Sequence, residues 1–140
     1  MLHSIGTDHG TKAWSNPHTD GKVVAAMSSV EQGEPFKFVG RSDDGFCRTD
    51  NQPNSWMSVD LGEGRAVDPT HYCLRTDSHT QTKPRNWTLE GKAADAGAED
   101  WQQLRRHDND ATMAAQNYSL GAWPVDAGGR AFRHLRIRQH

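Results

Sequence analysis

The side chains able to do chemistry gather in a few polar stretches. Arg75 and Arg85 flank residues 76–86, which also hold His79, Thr80 and Lys83. A guanidinium presents a rigid fork of donors, suited either to backbone carbonyls and carboxylates within the protein or to an anionic or hydroxyl-rich ligand. Both readings stand for Arg75 and Arg85. Nothing apolar beside His79, Thr80 and Lys83 calls for burial, so they read as exposed loop-tip residues and candidates for partner contact. Phe46 is the one aromatic in the long polar stretch 42–55, and it is the candidate stacking surface for a ligand. Asp43 and Asp44, with nearby carbonyls, are weak candidates for a structural calcium ion.

Catalytic and metal patterns are missing. His107, Asp108 and Asp110 lie close together, but zinc takes about four convergent ligands and no further one is near in sequence. The spacing also lacks an EF-hand pattern, so a structural turn is expected there. Cys47 and Cys73 have no motif around them, the serines form no nucleophile elbow, and no glycine loop is built to cradle phosphate. The chain reads as no enzyme, with no metal site beyond the weak calcium candidates and no cofactor.

Placing these residues is a task for the surrounding elements. The chain has 140 residues, enough for one domain, and spans residues 1–140 as a single unit. Only 34% of residues are apolar and the mean hydropathy is −0.89. Five Trp, four Phe and two Tyr nevertheless supply bulky anchors, which argues against disorder. Thirteen Gly and six Pro interrupt every helical stripe. Strand signals recur at 22–29, 36–39, 56–61, 71–76, 87–91, 101–107, 118–125 and 132–138. Residues 93–104 read as a loop leading into a strand. About eight short strands without helices make an all-β sandwich or jelly roll. Trp56 and Trp87 open strands and are expected in the core. Asp60, before Leu61-Gly62, is expected to pin the following turn.

Net charge is −2, which gives no strong pull toward nucleic acid or membrane. The tail carries Arg130, Arg133, Arg136 and Arg138 without an acid, and reads as a strand with a solvated basic face. The first residues are polar, with no apolar leader and no span long enough for a membrane helix. A cytoplasmic location follows as the expectation, with both cysteines as free, buried thiols.

Several motifs, in order, carry a resemblance. They are Ile5-Gly6-Thr7, Trp14, Asn16-Pro17, Gly21-Lys22-Val23 and Ser28-Ser29; then Trp56-Met57-Ser58-Val59-Asp60-Leu61-Gly62; then Tyr72-Cys73-Leu74-Arg75 and Pro84-Arg85-Asn86-Trp87. Trp101, Leu104, His107-Asp108-Asn109-Asp110, Trp123-Pro124 and Phe132-Arg133-His134-Leu135-Arg136-Ile137-Arg138-Gln139 complete the series. Together they resemble the discoidin-like domain found in some HECT-type ubiquitin ligases and in BTB-containing plant proteins. The resemblance covers nearly the whole chain. It departs at Pro84, where the family usually has Leu, and at residues 93–100, which lack the usual Ser-x-Asp-Gly turn. The family also continues past the final Arg-Ile-x-Gln into one more apolar strand.

The resemblance implies a galactose-binding-domain-like jelly-roll β-sandwich of about eight antiparallel strands. It implies a piece of a larger protein that lacks the family's last strand, and a binding module without chemistry of its own. Its main functional expectation is protein or peptide recognition within a ubiquitin-ligase-like or scaffold protein, through loops 42–55 and 76–86 at one end of the sandwich. The alternatives are carbohydrate or small-molecule binding, and a structural domain without ligand. An exposed aromatic beside Arg75 or Arg85 is the feature that would favour the carbohydrate alternative.

Overall fold

The computed structural model describes residues 1–41, 45–78, 83–113 and 117–140. Seven strands form two antiparallel sheets. They are β1 (Val24–Met27), β2 (Trp56–Asp60), β3 (His71–Arg75), β4 (Trp87–Lys92), β5 (Gln102–His107), β6 (Leu120–Pro124) and β7 (His134–Gln139). The large sheet runs β1-β2-β7-β4-β5, and the small one pairs β3 with β6. The fold is the galactose-binding-domain-like β-sandwich expected from the motifs.

Most strands fall where alternation places them, and two segments differ. Residues 36–39, expected as a strand, belong to a 3-10 turn, Pro35–Val39. Pro35 supplies no amide proton to a ladder and its fixed φ suits the first turn of a helix. A five-residue helix, Leu2–Gly6, which no periodicity announced, lays Leu2 and Ile5 against the core.

Strand alternation decides which side chains meet inside. In β2, Val59 points inward while Trp56, Ser58 and Asp60 take the other face, opposite Arg138, Arg136 and His134 of β7. Trp56 is therefore half-buried on the outer face of the large sheet, whereas Trp87 is fully buried as expected. One apolar cluster holds Val23, Ala25, Val39, Val59 and Leu61; another holds Trp87, Met113 and Trp123. Burying a side chain as large as Trp87 contributes roughly 3 kcal/mol. The turn after β2 is pinned as expected, with Asp60 Oδ1 accepting from the Gly62 amide at 2.9 Å.

The basic tail departs from a solvated face. Arg136 donates to Glu90 Oε2 at 2.7 Å, and Arg138 reaches Glu90 Oε1 at 3.1 Å. Arg133 grips Asp60 with both arms of its fork, at 2.6 and 2.8 Å. Because β7 lies between β2 and β4, each flanking strand brings it a carboxylate, a neighbour that sequence order does not reveal. Cys47 and Cys73 are free thiols; Cys47 is half-buried, and Cys73 is exposed rather than buried, because its register against Ala122 turns it outward.

Candidate ligand-binding site

Strand register places several loops at one end. Arg75 at the end of β3 faces Leu120 at the start of β6. Trp87 at the start of β4 faces His107 at the end of β5 and Gln139 at the end of β7. Trp56, which opens β2, pairs with Arg138. The connections 28–55, 76–86 and 108–119 therefore leave from the same end of their sheets, close to the end of β7.

A buried polar network underlies that end. The Trp87 indole N–H donates to the Tyr72 hydroxyl at 2.9 Å, and the hydroxyl lies 2.6 Å from His107 Nε2. His107 Nδ1 lies 2.7 Å from Asp110 Oδ2, which also accepts from the Trp123 indole at 3.1 Å. Asp110 Oδ1 accepts from the Thr112 amide at 2.8 Å. Burial alone would raise the Asp110 pKa. Hydrogen bonds from Thr112 and His107 outweigh it and hold the group at about 2. An ionised Asp110 can only accept, so His107 donates to it from Nδ1, which leaves Nε2 to accept from the Tyr72 hydroxyl. Burial pushes the Tyr72 hydroxyl up to about 12, which keeps it a donor at neutral pH. The rings of Trp87 and His107 stack at 4.1 Å, with Trp123 edge-on to both. His107 and Asp110 thus form the structural turn expected from their spacing.

This network anchors the connection 108–119 to the connection 76–86. The Asp110 amide donates to the Arg85 carbonyl at 2.8 Å, and the Asn109 amide to Asn86 Oδ1 at 2.7 Å. At the other end of the same connection, the Tyr118 amide donates to the Asp77 carbonyl at 2.9 Å. Tyr118 sits between these anchors and β6 with φ of +55°, a region that non-glycine residues seldom enter. The residue is 59% exposed, and the Arg75 guanidinium lies over its ring, 5.8 Å from the ring centre. Leu120, next along the same face, is 68% exposed. The reason lies in β6 itself: Gly121 and Trp123 take the inner face, and a Cβ on Gly121 would come within 2.1 Å of the Trp123 ring.

The expected site residues separate in this structure. Arg75 and Arg85 are exposed at the roots of the 76–86 connection. Lys83 is half-buried and partnered rather than an exposed tip. Phe46 is also half-buried and partnered, and its carbonyl lies against Gly33. His79, Thr80, Asp43 and Asp44 lie outside the described residues. Tyr118, whose pattern in sequence reads as strand, is the exposed aromatic beside Arg75. A signal for it existed: Leu120 and Trp123 are three apart, so one strand cannot bury both, and the residues sharing Leu120's parity must face out.

Two shallow depressions also occur. One of about 340 Å³ lies at the same end, between Asn51, Gln52, Pro53, Asn54, Gln139 and His140. The other, about 310 Å³, lies beside the N-terminal helix. Neither is lined by Phe, Tyr or Trp. Among the described residues no group of three or more metal-binding side chains gathers, and no helix is long and apolar enough to cross a membrane.

No protein-family model matches the chain. A BTB/POZ domain-containing protein of Arabidopsis thaliana, At2g30600, is 29% identical over 98% of this chain, which spans 17% of that protein's length. Among solved structures, CpGH89CBM32-5 from Clostridium perfringens, in complex with GalNAc-β-1,3-galactose, superposes with a TM-score of 0.59. It is 9% identical and covers 85% of this chain and 84% of its own. Chitosan-binding module 2 of a chitosanase/glucanase from Paenibacillus sp. IK-5, in complex with chitotriose, gives a TM-score of 0.60 at 12% identity, over 84% and 83% of the two chains. A SusE-like protein, BT2857, gives a TM-score of 0.63 at 15% identity, over 86% and 87%. At such identities the shared property is the fold.

Proposed function

We propose that this chain is a carbohydrate-binding module, without chemistry of its own, that holds a glycan against Tyr118 and Arg75. The observation that carries the reading is an exposed tyrosine held at positive φ beneath a guanidinium. Keeping a non-glycine residue there costs on the order of 1 kcal/mol, and such strain concentrates at ligand sites. A flat ring offers an apolar face to a sugar's C–H face, while the guanidinium donates to its hydroxyls. The loops stand on a rigid sandwich whose buried network limits their movement. Solved structures of this fold with bound GalNAc-β-1,3-galactose and chitotriose add support.

A second reading has its own observation. The relative that matches nearly the whole chain is a BTB/POZ domain-containing protein, and Leu120 stands exposed beside Tyr118 as an apolar contact for a peptide. In that reading the module serves a cytoplasmic scaffold, including a ubiquitin-ligase-like one.

Affinity gel electrophoresis through a panel of soluble polysaccharides separates the two. Retardation by at least one polysaccharide, lost in a folded Tyr118→Ala variant, is the expected result. A chain that migrates unretarded in every gel, yet captures a defined protein through Leu120, would transfer the site to peptide recognition.

A further inference from the structure

We infer that the glycan is acidic, carrying carboxylate or sulfate groups, and that Arg75 and Arg85 are its two anion anchors. This rests on the carbohydrate reading above. The argument is an accounting of guanidinium groups. Most arginines of the chain are already engaged. Some pair with carboxylates, as Arg133 does with Asp60 and Arg136 with Glu90. Others donate to backbone carbonyls, as Arg65 and Arg105 do. Only the guanidiniums of Arg75 and Arg85 make no hydrogen bond or ion pair with a described residue. Both are exposed, and both stand at the roots of the same connection.

The carboxylates that could neutralise them are committed. Asp110 is held by His107, Trp123 and Thr112, and Asp108 by Arg106 and His140. Asp77 also has a partner. Among the described residues, one guanidinium without a carboxylate partner therefore lies over an exposed ring, and a second stands at the other root of the same connection, in a chain whose net charge is −2. The Tyr118–Asp77 and Asp110–Arg85 backbone bonds tie both ends of the connection 108–119 to the connection that Arg75 and Arg85 flank. A guanidinium binds a carboxylate or sulfate through two parallel charge-assisted bonds, stronger than those to a neutral hydroxyl. A glucosamine polymer would meet like charge here, so the ligand chemistry separates this chain from the chitosan-binding module that shares its fold.

The test compares the intact chain's affinity, by titration calorimetry, for polygalacturonate, a sulfated galactan, a neutral galactan and chitosan oligomers. An acidic polymer should bind at least about tenfold tighter than the neutral galactan. The advantage should shrink at high salt, because both cations are exposed. Arg85→Gln should reduce the acidic preference, the double variant Arg75→Gln, Arg85→Gln should remove it, and Tyr118→Ala should weaken binding to every polymer. Preference for polygalacturonate alone would identify a uronate, and preference for the sulfated polymer alone a sulfate. Equal affinity for neutral and acidic polymers, or an acidic preference undiminished in the double variant, would overturn the inference and leave the carbohydrate reading standing. Binding to none of the four, by a chain that also fails the polysaccharide panel, would remove the carbohydrate reading itself.

Discussion

The two sheets present outer faces that both carry arginine, and they use it in opposite ways. On the large sheet, Arg136 and Arg138 share Glu90, and Arg133 clasps Asp60. Trp101 packs beneath Arg136 and Lys92, with their charges 4.1 and 5.1 Å from its ring. Arg133, Arg136 and Arg138 each answer a carboxylate on a neighbouring strand. On the small sheet, Arg75 answers only a tyrosine ring, and Cys73, Leu120 and Ala122 beside it stand exposed. A paired charge is a fixture of the fold, and an unpaired exposed one retains its binding capacity. Among the described residues, the contrast leaves the end of the small sheet as a face where a guanidinium has no carboxylate partner.

Substitutions can break that contrast, and the largest effect belongs to the large sheet. Glu90 is 7% exposed at its side chain, and Arg136 is 16% exposed. Glu90→Ala should cost about 3 kcal/mol in chemical denaturation, because removing one partner strands a buried charge. Glycan affinity per folded molecule should stay unchanged. A loss below about 0.5 kcal/mol would show the ladder to be ordinary surface charge.

The network behind the small sheet comes next. Asp110→Asn should cost about 2 kcal/mol, because the amide cannot accept from His107, Trp123 and Thr112 as a carboxylate does. The pH dependence has a definite sign. Asp110 titrates at about 2 in the fold against 3.8 as its ordinary value, so its contribution is present above pH 3.8 and is lost as pH falls through about 2. Acid denaturation of the Asn variant should lack that step; a profile equal to wild type would place acid sensitivity elsewhere, such as Asp60.

Smaller effects test the small sheet. Tyr118→Gly should stabilise the fold by up to about 1 kcal/mol by relieving the positive φ, while abolishing glycan binding. A destabilised variant would mean that the ring packs as structure. Arg75→Ala should change stability by less than about 0.5 kcal/mol and weaken binding at the same time.

Much of the fold was legible because strand alternation is local. Residues 56–61 and 87–91 show which side chains share a face, and Trp87 lies where its pattern places it. Asp60's role in the Gly62 turn needs only two residues of separation. The candidate site was legible in part: Arg75 and Arg85 stand out by type, whereas Tyr118 lies inside a segment whose pattern reads as strand. Arg133 and Arg136 read as solvated because their carboxylates lie 73 and 46 residues away in sequence.

Composition, alternation and turn residues alone determined that this chain makes short strands with one apolar face, because those preferences act within a few residues. Only the tertiary structure decided which charges are neutralised and which remain open. Inserting β7 between β2 and β4 brings carboxylates to its arginines, while pairing β3 with β6 leaves Arg75 facing solvent beside Tyr118. A charge's partner is chosen by strand order in space, which local sequence does not contain.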